Sequence, residues 1–96
     1  MDNHILQEAA RTYNTPCYIF DLDVFISRIR RMEQILGKQV NIYYAMKANP
    51  FLTAAAARAA GGLEVCSPGE YDICRRARVP AQKIVLSGVN KEEAHI

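Results

Sequence analysis

The chain has 96 residues, half of them hydrophobic and 23% charged, and a formal net charge of +2. That length allows one domain at most, with the composition of an ordinary water-soluble protein. So small a positive charge gives no ground for a nucleic-acid partner, and no apolar run approaches the ~18 residues a membrane helix needs.

The amino terminus lacks the charged-then-apolar order of a signal peptide. Cys17, Cys66 and Cys74 make an odd count without a Cys-x-x-Cys pair. This points to a reducing, cytoplasmic setting and away from a disulfide framework or zinc knuckle. His4 and His95 stand at opposite ends without ligand spacing, so both read as surface residues and no metal site is expected.

Residues 2–13 carry Ile5, Leu6, Ala9 and Ala10 at helical spacing, which predicts a short docking helix. Thr15-Pro16 breaks it, because the residue before proline is driven toward extended conformations. Cys17-Tyr18-Ile19-Phe20 then reads as a short strand. Asp21 and Asp23 suit a helix start better than a metal site, since no third ligand stands nearby. The stripe Leu22, Phe25, Ile26, Ile29, Met32, Ile35 and Leu36 predicts a helix closed by Gly37. Its Arg28-Ile29-Arg30-Arg31 run reads as a solvated outer face.

Val40 to Met46 predicts a strand, apolar enough for burial on both faces in a parallel sheet. It ends at Lys47, and Asn49 with Pro50 opens a helix as N-cap and first helical residue. Lys47 is therefore placed at the carboxyl end of a strand, where ligands bind in parallel α/β folds. A lysine at the edge of an apolar interior is expected to lose solvation, which lowers its pKa and frees the amine as a nucleophile. On position alone, a snorkelling structural lysine is the stronger reading.

An alanine-rich helix follows over Leu52–Ala60 and stops at Gly61-Gly62. Leu63 to Cys66 predicts a second strand, and Ser67-Pro68-Gly69-Glu70 has the form of a capping box. The helix it opens passes Tyr71, Cys74 and Ala77 and ends before Pro80. Lys83 to Ser87 predicts a third strand, with a turn at Gly88 and a further helix opened by Asn90 and Glu93.

Lys47, Ser67 and Ser87 thus occupy equivalent strand ends twenty residues apart, with a helix in each interval. This is a βα repeat with parallel strands. Its spacing fits a (β/α)8 barrel or an open doubly wound sheet equally well. No Gly-x-Gly-x-x-Gly follows a strand, which counts against a dinucleotide site. Three strands cannot complete a barrel, which takes at least ~200 residues. The chain is expected to be part of a longer protein.

Four stretches then coincide with one family, in order: Thr15-Pro16-x-Tyr18, Tyr44-Ala45-Met46-Lys47-Ala48-Asn49, Glu64-Val65-Cys66-Ser67-Pro68-Gly69-Glu70, and Lys83-Ile84-Val85-Leu86-Ser87-Gly88. From about Thr15 onward the chain resembles the pyridoxal-phosphate-dependent amino-acid decarboxylases, the group that includes the diaminopimelate, ornithine and carboxynorspermidine enzymes. The resemblance implies the amino-terminal portion of a (β/α)8 TIM barrel of the fold-type III, alanine-racemase-like kind. Residues 1–37 would form a leading segment, giving the Cys17–Phe20 strand to a separate β-domain. Residues 38–96 would form the first three βα units.

The same resemblance implies pyridoxal 5′-phosphate as cofactor, with Lys47 as its internal Schiff-base lysine. Glu64 stands where the family usually has an aspartate close to lysine and cofactor, one methylene longer. The implied activity is decarboxylation of a small α-amino acid by a cytoplasmic homodimer. The phosphate loop, the ring-stacking histidine, the acid on the pyridine nitrogen and the cysteine crossing the dimer interface would all lie beyond Ile96. The 96-residue chain alone is thus expected to be inactive. Two alternatives keep the ancestry: a fold-type III racemase or cofactor carrier, and a non-catalytic paralogue that binds another protein. The residues do not choose among lysine, polyamine and secondary-metabolite substrates.

Overall fold

The structure is a computed structural model, and residues 1–88 are described. The helix start expected at Asn90 and Glu93, and His95, lie outside the described residues. The elements are α1 (Asn3–Tyr13), α2 (Leu22–Leu36), β1 (Tyr43–Ala45), α3 (Thr53–Ala59), β2 (Gly62–Val65), α4 (Pro68–Arg76) and β3 (Ile84–Leu86).

The three strands form one parallel sheet in chain order, β1-β2-β3. Tyr43, Tyr44 and Ala45 stand beside Gly62, Leu63 and Glu64, and Leu63, Glu64 and Val65 stand beside Ile84, Val85 and Leu86. Successive strand residues face opposite sides, so Leu63 and Val65 point one way and Glu64 the other. Leu63 and Val65 are fully buried with Met46, Ala56 of α3 and Cys74 of α4. Both helices therefore lie on one face of the sheet. Fully burying side chains of this size contributes roughly 1.5–3 kcal/mol each.

A second cluster joins Ile29 of α2 to Ala59 and Ala60, with Phe25, Ile26 and Tyr44 packed against it. The Phe25 and Tyr44 rings meet edge to face, 5.4 Å between centroids and 87° between planes, a geometry the ring quadrupoles favour. The small side chains of α3 let it approach closely, and two cations secure its last turn. Arg30 Nη1 donates to the Ala59 carbonyl at 3.2 Å, and Lys83 Nζ donates to the Ala57 carbonyl at 2.7 Å. Both groups satisfy carbonyls that a helix end leaves unpaired. All three arginines of the run are exposed, as expected of an outer face, although Arg30 also reaches the Ala59 carbonyl, and Ile29 between them is core.

Helix boundaries follow the capping signals. Asp21 Oδ1 accepts from the Val24 amide at 3.2 Å and Gly37, at φ +84°, closes α2. A positive φ of this size is strained for any residue with a Cβ. Gly62 is required for a different reason: a Cβ there would lie 2.5 Å from the Tyr43 ring and 2.6 Å from the Lys83 carbonyl.

Three expectations need correction. Cys17–Phe20 forms no strand; the segment is irregular and exposed. An extended run becomes a strand only when a neighbour takes up its backbone groups, and no described strand pairs with it. The strand expected over Val40–Met46 is confined to Tyr43–Ala45, the stretch that pairs with Gly62–Glu64 of β2, with one further backbone bond from the Gly61 amide to the Ile42 carbonyl at 2.8 Å. Met46 instead turns inward within a 3₁₀ segment, Met46–Ala48, where its sulfur accepts from Cys74 Sγ. Finally, α1 is helical but docks weakly: none of its residues is buried, and Ile5 is more than half exposed.

Leu63→Ala is expected to lower the unfolding free energy of the complete polypeptide by about 2–5 kcal/mol, the range for truncating a buried leucine. Leu63→Met, which conserves volume, should cost less than about 1.5 kcal/mol. Urea unfolding of the two variants checks this, and equal losses would contradict the core assignment.

Candidate active site at the carboxyl edge of the sheet

The register decides which residues share the carboxyl edge. The β2–β3 register continues past its last pair to set Cys66 beside Ser87, whose amide donates to the Val65 carbonyl at 2.8 Å. Lys47 follows β1 in the segment Met46–Ala48. The middle member of the row is thus Cys66, and Ser67 lies one step beyond it. Ser67 is instead the N-cap of α4, its Oγ accepting from the Glu70 amide at 3.2 Å. The capping box differs from expectation in its return arm. Glu70 Oε1 accepts from the Cys66 amide at 3.0 Å, so the box ties α4 to the strand end.

Lys47 sits in the 3₁₀ segment directly after β1 and is exposed. The burial expected of it is not found, since the open face of the sheet carries no covering layer among the described residues. No hydrogen bond or ion pair within the described residues engages its amine. The turn bearing it is held from both sides. The Tyr44 hydroxyl donates to the Asn49 carbonyl at 3.0 Å, and Asn49 Oδ1 accepts from the Phe51 amide at 3.0 Å. Asn49 therefore caps as expected, although the segment it opens is a 3₁₀ turn, Pro50–Leu52, leading into α3. Burial pushes the Tyr44 hydroxyl pKa up despite the Asn49 contact, so it stays a proton donor at neutral pH.

Glu64 projects from β2 on the face opposite the helices. Its Oε1 accepts from Ser87 Oγ at 2.9 Å and from Cys66 Sγ at 3.4 Å, and Sγ and Oγ are 3.5 Å apart. The Ser87 hydrogen bond, then that of Cys66, holds the carboxyl below its ordinary value; the Lys47 charge acts the same way, and burial opposes them. Lys47 and Glu64, 17 positions apart in sequence, are thus brought into one electrostatic neighbourhood. The third thiol has no such role: burial, helped by the charge of Glu70, pushes Cys74 up.

Cavity size does not mark this site. A cleft of about 670 Å³ lined by Arg30, Lys38, Arg58 and Gly61 opens at the amino end of the sheet, away from Lys47. Among the described residues no group of three acidic, histidine or cysteine side chains could hold a metal ion, and no helix is long and apolar enough to cross a membrane.

A primary amine within the electrostatic reach of a carboxylate is a donor set that fits an aldehyde-bearing cofactor. The profile of the family described as "Pyridoxal-dependent decarboxylase, pyridoxal binding domain" matches residues 22–96. The chain belongs to the pyridoxal-dependent decarboxylases.

Relatives in this family are named diaminopimelate decarboxylase. The protein of Deinococcus radiodurans is 33% identical over 98% of this chain and 25% of its own length. That of Mycobacterium tuberculosis strain H37Rv is 35% identical over 95% and 21%, and that of Zymomonas mobilis 37% identical over 90% and 22%. The chain thus spans about a fifth to a quarter of the curated relatives it matches. No solved structure gives a significant match.

Ser87 stands at a strand end as the sequence spacing indicates, but its bond to Glu64 was not foreseen. Cys66 was not placed in the row, and strand register was the signal that could have found it. Because the folded-state pKa of Glu64 lies below its ordinary value of 4.5, its stabilising contribution is full above that value and is lost as pH falls through the depressed one. In urea unfolding of the complete polypeptide, the stability advantage of wild type over Glu64→Gln is therefore expected at pH 7 and should fade below pH 4.5. A difference constant with pH would contradict an ionised, hydrogen-bonded Glu64.

Proposed function

We propose that the chain is the amino-terminal part of a (β/α)8 barrel in a pyridoxal 5′-phosphate-dependent decarboxylase of α-amino acids, with Lys47 as its Schiff-base lysine. In this reading residues 1–37 form the leading segment and residues 38–96 the first three βα units. The observation that carries it is the exposed, unengaged Lys47 amine at the carboxyl edge of a parallel sheet, within the electrostatic reach of Glu64. A closed barrel is favoured over a doubly wound sheet because strand order follows chain order and both α3 and α4 pack on the face opposite Glu64.

The cofactor would supply a carbonyl for the amine and a ring that draws off the electrons left when the carboxylate departs. The chain's own residues supply position and charge. Tyr44 and Asn49 fix the turn that presents Lys47. Glu64, kept ionised by Ser87 and Cys66, opposes positive charge at the lysine nitrogen. Diaminopimelate is the first substrate to test, being the one in the relatives' names. The complete enzyme is proposed to be a cytoplasmic homodimer acting on a small amino acid, with neither nucleic acid nor membrane as partner.

Treatment of the complete polypeptide with pyridoxal phosphate and borohydride, followed by peptide mass mapping, should place the reduced adduct on Lys47. Lys47→Ala should lose that adduct and reduce carbon dioxide release from diaminopimelate by a factor on the order of 10³ or more, as for loss of a group central to the chemistry. An adduct confined to other lysines would sink the proposal. The 96-residue chain alone is expected to release no carbon dioxide, since it carries only a fraction of the length of its relatives.

A further inference from the structure

Ser87 holds its place in the sheet without using its side chain, because its amide donates to the Val65 carbonyl at 2.8 Å. The hydroxyl is therefore free for another task, and it is spent across the β2–β3 boundary on Glu64 Oε1 at 2.9 Å. Cys66 Sγ reaches the same oxygen from within the Glu64 strand, at a longer 3.4 Å. Among the described residues no hydrogen bond is made to Oε2. Both donors thus grip one oxygen, and the other takes no bond from the described residues, with the Lys47 charge acting on the same carboxyl.

We propose that Ser87 is a positioning residue, whose hydroxyl clamps Oε1 of Glu64 so that Oε2 is left for the positive charge at Lys47. A glutamate side chain has three rotatable bonds, and fixing one oxygen from a neighbouring strand removes most of that freedom. A hydroxyl is a better donor to a carboxylate than a thiol, so the clamp is chiefly the serine's. Among the described residues the charged and titratable groups that act on Glu64 are Cys66 and Lys47, and Glu70 of α4 is turned to the Cys66 amide. The alternative is a carboxylate that satisfies itself with whichever donors are near, in which case losing one hydroxyl changes little. The clamp on Glu64 stands on the geometry alone, whereas its service to Lys47 rests on the proposed cofactor role of that lysine.

The test is a ¹³C NMR titration of the Glu64 side-chain carboxyl in the complete, cofactor-free polypeptide, its signal assigned by loss in Glu64→Gln. Ser87→Ala should raise the Glu64 midpoint toward the ordinary value of 4.5, and Ser87→Thr, which keeps the hydroxyl, should restore the wild-type midpoint. Ser87→Cys should fall between. A midpoint unmoved in Ser87→Ala, or a threonine variant behaving like the alanine one, overturns the proposal. If Ser87→Ala does not fold, threonine and cysteine variants with equal midpoints overturn it equally. Borohydride trapping of pyridoxal phosphate on the same samples separates the two readings: no adduct at Lys47, with a responsive Glu64, removes the cofactor role and leaves the clamp in place.

Discussion

The alternation of side chains along β2 is the constraint on which the rest of the molecule depends. In four residues it sends Leu63 and Val65 into the helices and Glu64 to the opposite face. The first direction closes a dry core with Met46, Ala56 and Cys74, and the second sets a carboxylate on the open face of the sheet. A slip of one residue would exchange the two, burying a charge and exposing two aliphatic side chains. The apolar core is thus also what keeps Glu64 pointed at the open face.

The groups around that edge are mounted on elements whose positions are set by other contacts. Tyr44 belongs to the helix side of β1, packs on Phe25, and still reaches the Asn49 carbonyl with its hydroxyl. A packing residue thereby fixes the turn that carries Lys47. Glu70 does the same at the next strand end, bonding the Cys66 amide from the first turn of α4. Arg30 and Lys83 tie α3 to α2 and to the start of β3 through the carbonyls of Ala59 and Ala57. Each of these edge positions is thus fixed by a side chain rooted in the packing around it, which is how preorganisation is built into a scaffold.

Local signals were legible in the sequence where one residue decides the outcome alone. Asp21, Asn49 and Ser67 all cap as their types and positions indicate, because a cap is a bond between residues two or three apart. The parallel βα repeat and the apolar positions of β2 were readable for the same reason. What could not be read depends on neighbours distant in sequence. The Cys17–Phe20 run has strand composition, but no strand among the described residues pairs with it. Ile35, on the same helical stripe as buried Ile29, is well exposed because the stripe outlasts the surface that covers it. At the site, Lys47 was conspicuous as one charge ending an apolar run. Ser87 was placed at a strand end by counting, whereas Cys66 took the place expected of Ser67 only through register, which is set by pairing.

The repeat is less regular than its numbering suggests. Along the carboxyl edge, nineteen positions separate Lys47 from Cys66 and twenty-one separate Cys66 from Ser87. The units are therefore not interchangeable cassettes. A chimera assembled at a fixed twenty-residue period would deliver Ser67 to the rim in place of Cys66, strip α4 of its cap and detach Glu70 from the strand end. Any recombination of these units has to be cut by hydrogen-bond register, with the Ser67–Glu70 box moved as one piece with the strand before it.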